Sequence, residues 1–112
     1  MKGIHLGEFE ELVLLMVAIL KGDAYGVKVQ VDLKEQSGRS VNISAVHAAL
    51  RRLEKKGFIS SRWSEATAER GGRRKRLFLI TSEGQAALEH VRDTRIKLWN
   101  QIPGFSSNIS FA

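Results

Sequence analysis

Cysteine is absent from the chain. That excludes a disulfide framework and a thiolate metal site, and it fits a reducing cytosol. Long apolar runs are missing too. The longest, Leu12 to Leu20, is too short to span a bilayer, and Met1 is followed by neither a signal-like apolar stretch nor a small-residue cleavage site. The expectation is a cytoplasmic protein without membrane contact. The three histidines, His5, His47 and His90, stand at no metal-ligand spacing from one another. No GxxxxGK[ST] phosphate loop occurs, and Ser60, Ser61 and Ser64 have no base at a recognisable offset. These gaps predict no enzyme, no metal and no cofactor. Internal repeats and low-complexity tracts are also lacking. A length of 112 residues makes about one domain. Such a chain buries on the order of two thirds of its unfolded surface.

What the chain does have is a confined positive charge. Residues 1–39 carry five Lys/Arg against six Asp/Glu, residues 40–80 carry ten against three, and residues 81–112 carry three of each. The middle segment therefore accounts for the whole net charge of +6. A footprint of this kind points to a polyanion, of which nucleic acid is the commonest soluble example. A solvated basic face that merely aids solubility is the plainer alternative.

Within that segment, Asn42 to Gly57 reads as one short helix with two unlike faces. Ile43, Val46, Leu50 and Leu53 recur at three-and-four spacing. Ser44, Ala45, His47 and Ala48 give a slim polar face near the start, and Arg51, Arg52, Lys55 and Lys56 a cationic one towards the end. Asn42 is the expected N-cap and Gly57 the C-terminal stop. A slim outer face with flanking cations suits a nucleic-acid groove. His47 reads either as a phosphate or base contact or as a plain surface histidine.

The flanks frame this helix. Gly7 to Leu20 reads as a first helix, with Glu8, Glu10 and Glu11 in its first turn complementing the dipole. Phe9, Leu12, Val13, Met16, Val17 and Leu20 make one apolar face, and Leu14, Leu15, Ala18 and Ile19 a second. A helix apolar nearly all round implies burial on two sides, the second either against a partner chain or within the core of a monomer. Asp23 to Gly38 is ambiguous. Tyr25, Val27, Val29, Val31 and Leu33 alternate as in a strand, while Asp23 as cap, Val29 and Leu33 at four-residue spacing and Gly38 as terminator suit a helix. Arg39 to Val41 is open to a brief strand pairing. Phe58 to Trp63 and Arg74 to Ile80 read as an antiparallel hairpin with Gly71-Gly72 at its tip and Arg70, Arg73, Arg74, Lys75 and Arg76 at and beside it, suited to a minor groove or simply a flexible loop with its charges in solvent. Thr81 or Ser82 opens a last helix that stops before Pro103. Its stripe of Leu88, Val91, Leu98 and Ile102, with Arg95 at one seam position, suits a partner helix or its own first helix. Pro103 to Ala112 is expected to fray.

Helix, helix, helix, hairpin and helix form a winged helix-turn-helix with an added C-terminal dimerisation helix, a mainly α (α+β) class. The stretches LGEFEELVLLMVAIL, GDAYGVKVQVDLKEQSG, NISAVHAALRRLEKKGFISSRW, ERGGRRKRLF and ITSEGQAALE resemble the PadR family of bacterial transcriptional regulators over Leu6 to about Trp99. The resemblance implies that the ambiguous stretch is the second helix. It also implies a homodimer built mainly from the last helix with help from the first, through Leu14, Leu15, Ala18, Leu88, Val91, Leu98, Trp99 and Ile102. Residues 1–80 would form the DNA-binding domain, 81–102 the dimerisation helix and 103–112 a flexible tail. The expected partner is double-stranded DNA, bound at a palindrome by a repressor. Tyr25, Asn42, Ser44, Ala45 and His47 would meet base edges or nearby phosphates. Arg51, Arg52 and Lys55 would hold the backbone, and Arg70, Gly71, Gly72, Arg73, Arg74 and Lys75 would reach the minor groove. Relatives commonly carry Tyr where this chain has His47, and polar or aromatic residues where Leu77 and Leu79 stand. Two further readings stay open: a protein-interaction module docking through Leu77 and Leu79, and a dimer pore near Trp99 that takes a small aromatic effector.

Overall fold

The structure, a computed structural model, describes residues 5–65 and 74–104. Its elements run α1 (Glu8–Leu20), α2 (Gly26–Ser37), α3 (Ile43–Lys55), β1 (Ile59–Trp63), β2 (Arg76–Ile80) and α4 (Ser82–Trp99). The expected element order holds, and the second element is a helix. Among the described residues no helix is long and apolar enough to cross a membrane.

The first helix is the hub, packing against α2, α3, β2 and α4. That surround explains one correction. Leu14, expected on a partner-facing side, is fully buried in the protomer's own core with Val13, Met16 and Val17. Only Leu15 and Ile19 of the second face are exposed, and Ala18 is half-buried. At the N-terminus, Glu10 reaches back to accept a 3.3 Å hydrogen bond from the Gly7 N–H, occupying one of the orphan donors of the first turn.

Asp23 does not cap α2. The helix begins three residues later because Ala24 is tied to the wing, its carbonyl accepting the Phe78 N–H at 2.8 Å in an isolated bridge. Residues 39–41, open to a brief strand pairing from sequence, form no strand; Ala24 makes the isolated bridge to the wing instead. In α2, Val29 and Leu33 are buried while Val27 and Val31 are exposed, which is how an alternating sequence reads once it is wound at 3.6 residues per turn. Gly38 ends the helix at φ 70°.

Asn42 caps α3 as expected, its Oδ1 accepting the Ser44 N–H at 2.7 Å. Val46, Ala49, Leu50 and Leu53 enter the core, and Gly57 turns the chain at φ 82° into β1. The hairpin pairs Ile59 with Ile80, Ser61 with Phe78 and Trp63 with Arg76. Its inner face carries buried Ile59 and Phe78.

At the start of α4 the structure selects Thr81 over Ser82 as the cap. Thr81 Oγ1 accepts from the Gly84 N–H at 3.0 Å and donates to the Gly57 carbonyl at 2.7 Å. A side chain at Gly84 would collide with the Phe58 carbonyl oxygen, so only glycine lets α4 sit this close to the α3–β1 turn. Along α4 only Gly84 and Ala87 are buried. Its second half is mostly exposed, and Arg95 there donates to Glu11 of α1 at 2.8 Å.

Candidate nucleic-acid interface

Two rows of cations run along α3, one residue out of step. Residues four apart lie one above the other on a helix, and a step of one residue turns the row by about 100°. One row is His47, Arg51 and Lys55; the other is Arg52 and Lys56. The structure gives them different partners. Arg52 Nε and Lys56 Nζ each donate to the Glu10 carboxylate, both at 2.6 Å, and Lys56 also donates to the His5 carbonyl at 2.7 Å. Glu10 is the one buried charged residue among those described. Burial pushes its carboxyl up, but the hydrogen bonds from Lys56, Arg52 and the Gly7 N–H outweigh burial and hold it below the ordinary range. Arg52, expected on the nucleic-acid backbone, is therefore engaged inside the protomer, where it fixes α3 against α1.

His47, Arg51 and Lys55 are exposed and form no ion pair among the described residues. With Glu54, Arg76 and Phe78 they line a groove of about 510 Å³ between α3 and the wing. Glu54 faces this groove, yet its charge is already met: Arg76 Nη2 lies 3.0 Å from Oε1 and the Ser61 hydroxyl donates to Oε2 at 2.6 Å. A smaller hollow of about 340 Å³ continues the groove towards Tyr25, Gly26, Trp63 and Lys75. There the Lys75 ammonium sits 4.0 Å from the Tyr25 ring centroid, a cation–π contact that ties the wing to the start of α2. Ser44, Ala45 and Asn42 are exposed at the N-terminal end of α3. Of the expected residues, Tyr25, His47, Arg51, Lys55 and Lys75 line these two adjoining hollows. Arg74 is exposed beside them. Arg70, Gly71, Gly72 and Arg73 lie outside the described residues.

The apolar residues expected at a dimer contact are distributed otherwise. Leu98, Trp99 and Ile102 are exposed near the end of α4, and Leu88 and Val91 are half-buried nearer its start. With Leu15, Ile96 and Arg95, Leu88 and Trp99 border a groove of about 500 Å³ between α1 and α4.

Sequence reasoning missed the work of the three glutamates. Glu8 pairs with Arg39 at 2.7 Å, Glu10 with Arg52 and Lys56, and Glu11 with Arg95, which raises the Arg95 guanidinium further above its ordinary value. One helical turn thus anchors the α2–α3 turn, α3 and α4. Glu-rich first turns are common for dipole reasons alone, and no local spacing singles out partners 31, 42, 46 and 84 residues away. Trp63 at the groove was likewise not anticipated. Among the described residues no three His, Cys, Asp or Glu side chains gather as a metal site.

The comparisons agree with this architecture. No curated protein matches the chain. A PadR-like transcription factor from Bacteroides fragilis is similar at TM-score 0.72 and 21% identity, over 84% of this chain and 85% of that one. A PadR family transcription regulator from Clostridium difficile R20291 is similar at TM-score 0.67 and 24% identity, over 88% and 100%. Another from Eggerthella lenta DSM 2243 gives TM-score 0.66 and 24% identity, over 85% and 82%. At these identities the likeness establishes the shared fold. The sequence pattern of the transcriptional regulator PadR-like family matches residues 14–90, more than half of the chain. With that match and this fold, the chain belongs to the PadR-like family of transcriptional regulators, which are not enzymes.

Proposed function

We propose that the protein binds double-stranded DNA as a homodimer and represses transcription from a palindromic operator. The observation that carries this reading is the unpaired row of His47, Arg51 and Lys55, exposed on α3 and facing a groove whose far wall is the wing. Residues 1–80 act as the DNA-binding unit. The third helix enters the major groove with Asn42, Ser44, Ala45 and His47 towards base edges or nearby phosphates, and Arg51 and Lys55 hold the backbone. The wing, with Arg74 and Lys75 and with Arg70 to Arg73 at its tip, reaches the neighbouring minor groove. Residues 81–102 pair two protomers through Leu98, Trp99 and Ile102, which are exposed in the protomer, as are Leu15 and Ile19 of α1. Two-fold symmetry then sets two copies of α3 about one helical turn apart.

The test is a mobility shift on DNA from upstream of the protein's own coding region, with solution mass measured in the same buffer. A shift that survives competitor DNA, from a species of twice the chain mass, supports the reading. A monomer, or a shift abolished by any competitor, refutes it. The exposure of Leu79 on the outer strand favours the second reading, a wing that docks a protein. Salt separates the two, because DNA binding falls steeply with ionic strength and apolar docking does not. A small aromatic effector in the α1–α4 groove would quench Trp99, whichever of the two holds.

A further inference from the structure

His47 stands apart from the rest of its row. It is the only member that is not a permanent cation, and it makes no hydrogen bond or ion pair among the described residues. Its ring occupies a defined place nonetheless. The imidazole lies so close over Gly26, the first residue of α2, that a Cβ there would overlap Cε1 and crowd both ring nitrogens. The missing side chain at Gly26 is thus the seat of the ring. Around it the groups are mostly cationic. On α3 itself, Arg51, Glu54 and Lys55 line the same groove; from the wing come Arg76 and Lys75; just before α2 stands Tyr25, and on α2 Lys28 is paired to Asp23 at 3.8 Å. Glu54, the one carboxylate at the groove, is taken up by Arg76 and Ser61. No free anion of the described protein is placed to hold an imidazolium, whereas a polyanion in the groove would be.

We infer that DNA binding by this protein is proton-linked through His47: the imidazole seated over Gly26 takes up a proton as a phosphate arrives, so affinity rises as pH falls through the range in which histidine titrates. This deepens the proposed DNA binding and rests on it. Imidazole is the side chain whose ordinary charge change falls between about pH 5 and 8. A proton taken up on binding makes the affinity depend on pH, by at most about tenfold per pH unit for each proton. Two protomers double the exponent. The device differs from a tyrosine at this position, which would offer a hydroxyl whose charge does not change near neutrality.

The test is a titration of duplex DNA from upstream of the protein's own coding region, at constant ionic strength, between about pH 8 and pH 6. The wild type is expected to gain about tenfold or more in affinity over that span. His47→Gln keeps a hydrogen-bonding side chain without a titrating charge, and its affinity is expected to be flat with pH. Gly26→Ala displaces only the mobile end of a side chain, so the variant is expected to fold normally by circular dichroism while its pH slope falls. The double variant His5→Gln/His90→Gln is expected to keep the wild-type slope, since both residues lie away from the groove. A flat wild type, or parallel slopes in wild type and His47→Gln, overturns the proton link while leaving DNA binding in place. No binding at any pH overturns both.

Discussion

Replacing Glu10 by Ala tests the junction that sets α3 on α1. The side chain is only 8% exposed and accepts hydrogen bonds from Arg52, Lys56 and the Gly7 N–H. Removing one partner of a fully buried ion pair costs about 3–5 kcal/mol, because the other is stranded without water. Here the stranded cations are not sealed in: the Arg52 and Lys56 side chains are 53% and 30% exposed and can turn outward. Screening at such sites discounts the figure to about 2–3 kcal/mol. For a chain of this size that lowers the melting midpoint by about 10 °C. Urea and thermal unfolding at equal protein concentration measure it, concentration being fixed because association adds to apparent stability. The pH dependence checks the cause. The folded-state carboxyl is held below its ordinary value, so its contribution is fully present above the unfolded-state value and is lost as pH falls through the folded-state value. The gap between wild type and Glu10→Gln, which cannot ionise, is therefore expected to narrow in acid. A loss below about 1 kcal/mol for Glu10→Ala, within the range of an exposed pair, would refute the reasoning. So would a gap that does not change with pH.

Gly84→Ala drives a methyl into the Phe58 carbonyl and the Ile80 side chain, and is expected to cost about 2 kcal/mol, read by thermal unfolding. Arg51→Ala is expected to flatten the dependence of DNA affinity on log salt by about one unit per protomer. Arg52→Ala, by contrast, is expected to lower the melting midpoint and leave most of that slope in place. Leu98→Ser with Ile102→Ser is expected to halve the mass seen by light scattering without changing the helical signal, because neither side chain belongs to the protomer core.

Local signals in the sequence read well where local forces decide. The caps at Asn42 and Thr81, the glycine ends at Gly38 and Gly57 and the buried row of Val46, Leu50 and Leu53 depend on neighbours within one or two turns. Failures came where a distant residue decides. Alternation in Tyr25 to Leu33 is compatible with strand or helix, and the start of α2 is set by Phe78, which no window around Asp23 contains. Leu14 and Leu15 are adjacent and equally apolar, yet one is core and the other surface, because the number of elements around α1 is a property of the whole fold. The outward row of α3 was legible as charge but not as a row. Arg51 and Arg52 look interchangeable in sequence, and only the position of Glu10 tells them apart.

That difference changes what the basic footprint means. Of the cations on and next to α3 and β2, Arg52, Lys56 and Arg76 are engaged by Glu10 and Glu54. Arg51, Lys55 and Arg74 form no ion pair among the described residues, and Lys75 leans on Tyr25. Net charge by segment counts the two sets alike, whereas only the second is placed to displace counterions from a polyanion without first breaking an internal bond. The first set acts through orientation, since it pins the face of α3 that holds Arg52 and Lys56 and so leaves the face of His47, Arg51 and Lys55 outward. Neutralising Glu10 would therefore work in two directions at once. It would release two cations, which favours attachment to any DNA, and it would loosen the helix whose N-terminal residues are proposed to read bases. Non-specific affinity is expected to rise while discrimination between operator and competitor falls. A simple loss of charge contact could not produce that pair of effects.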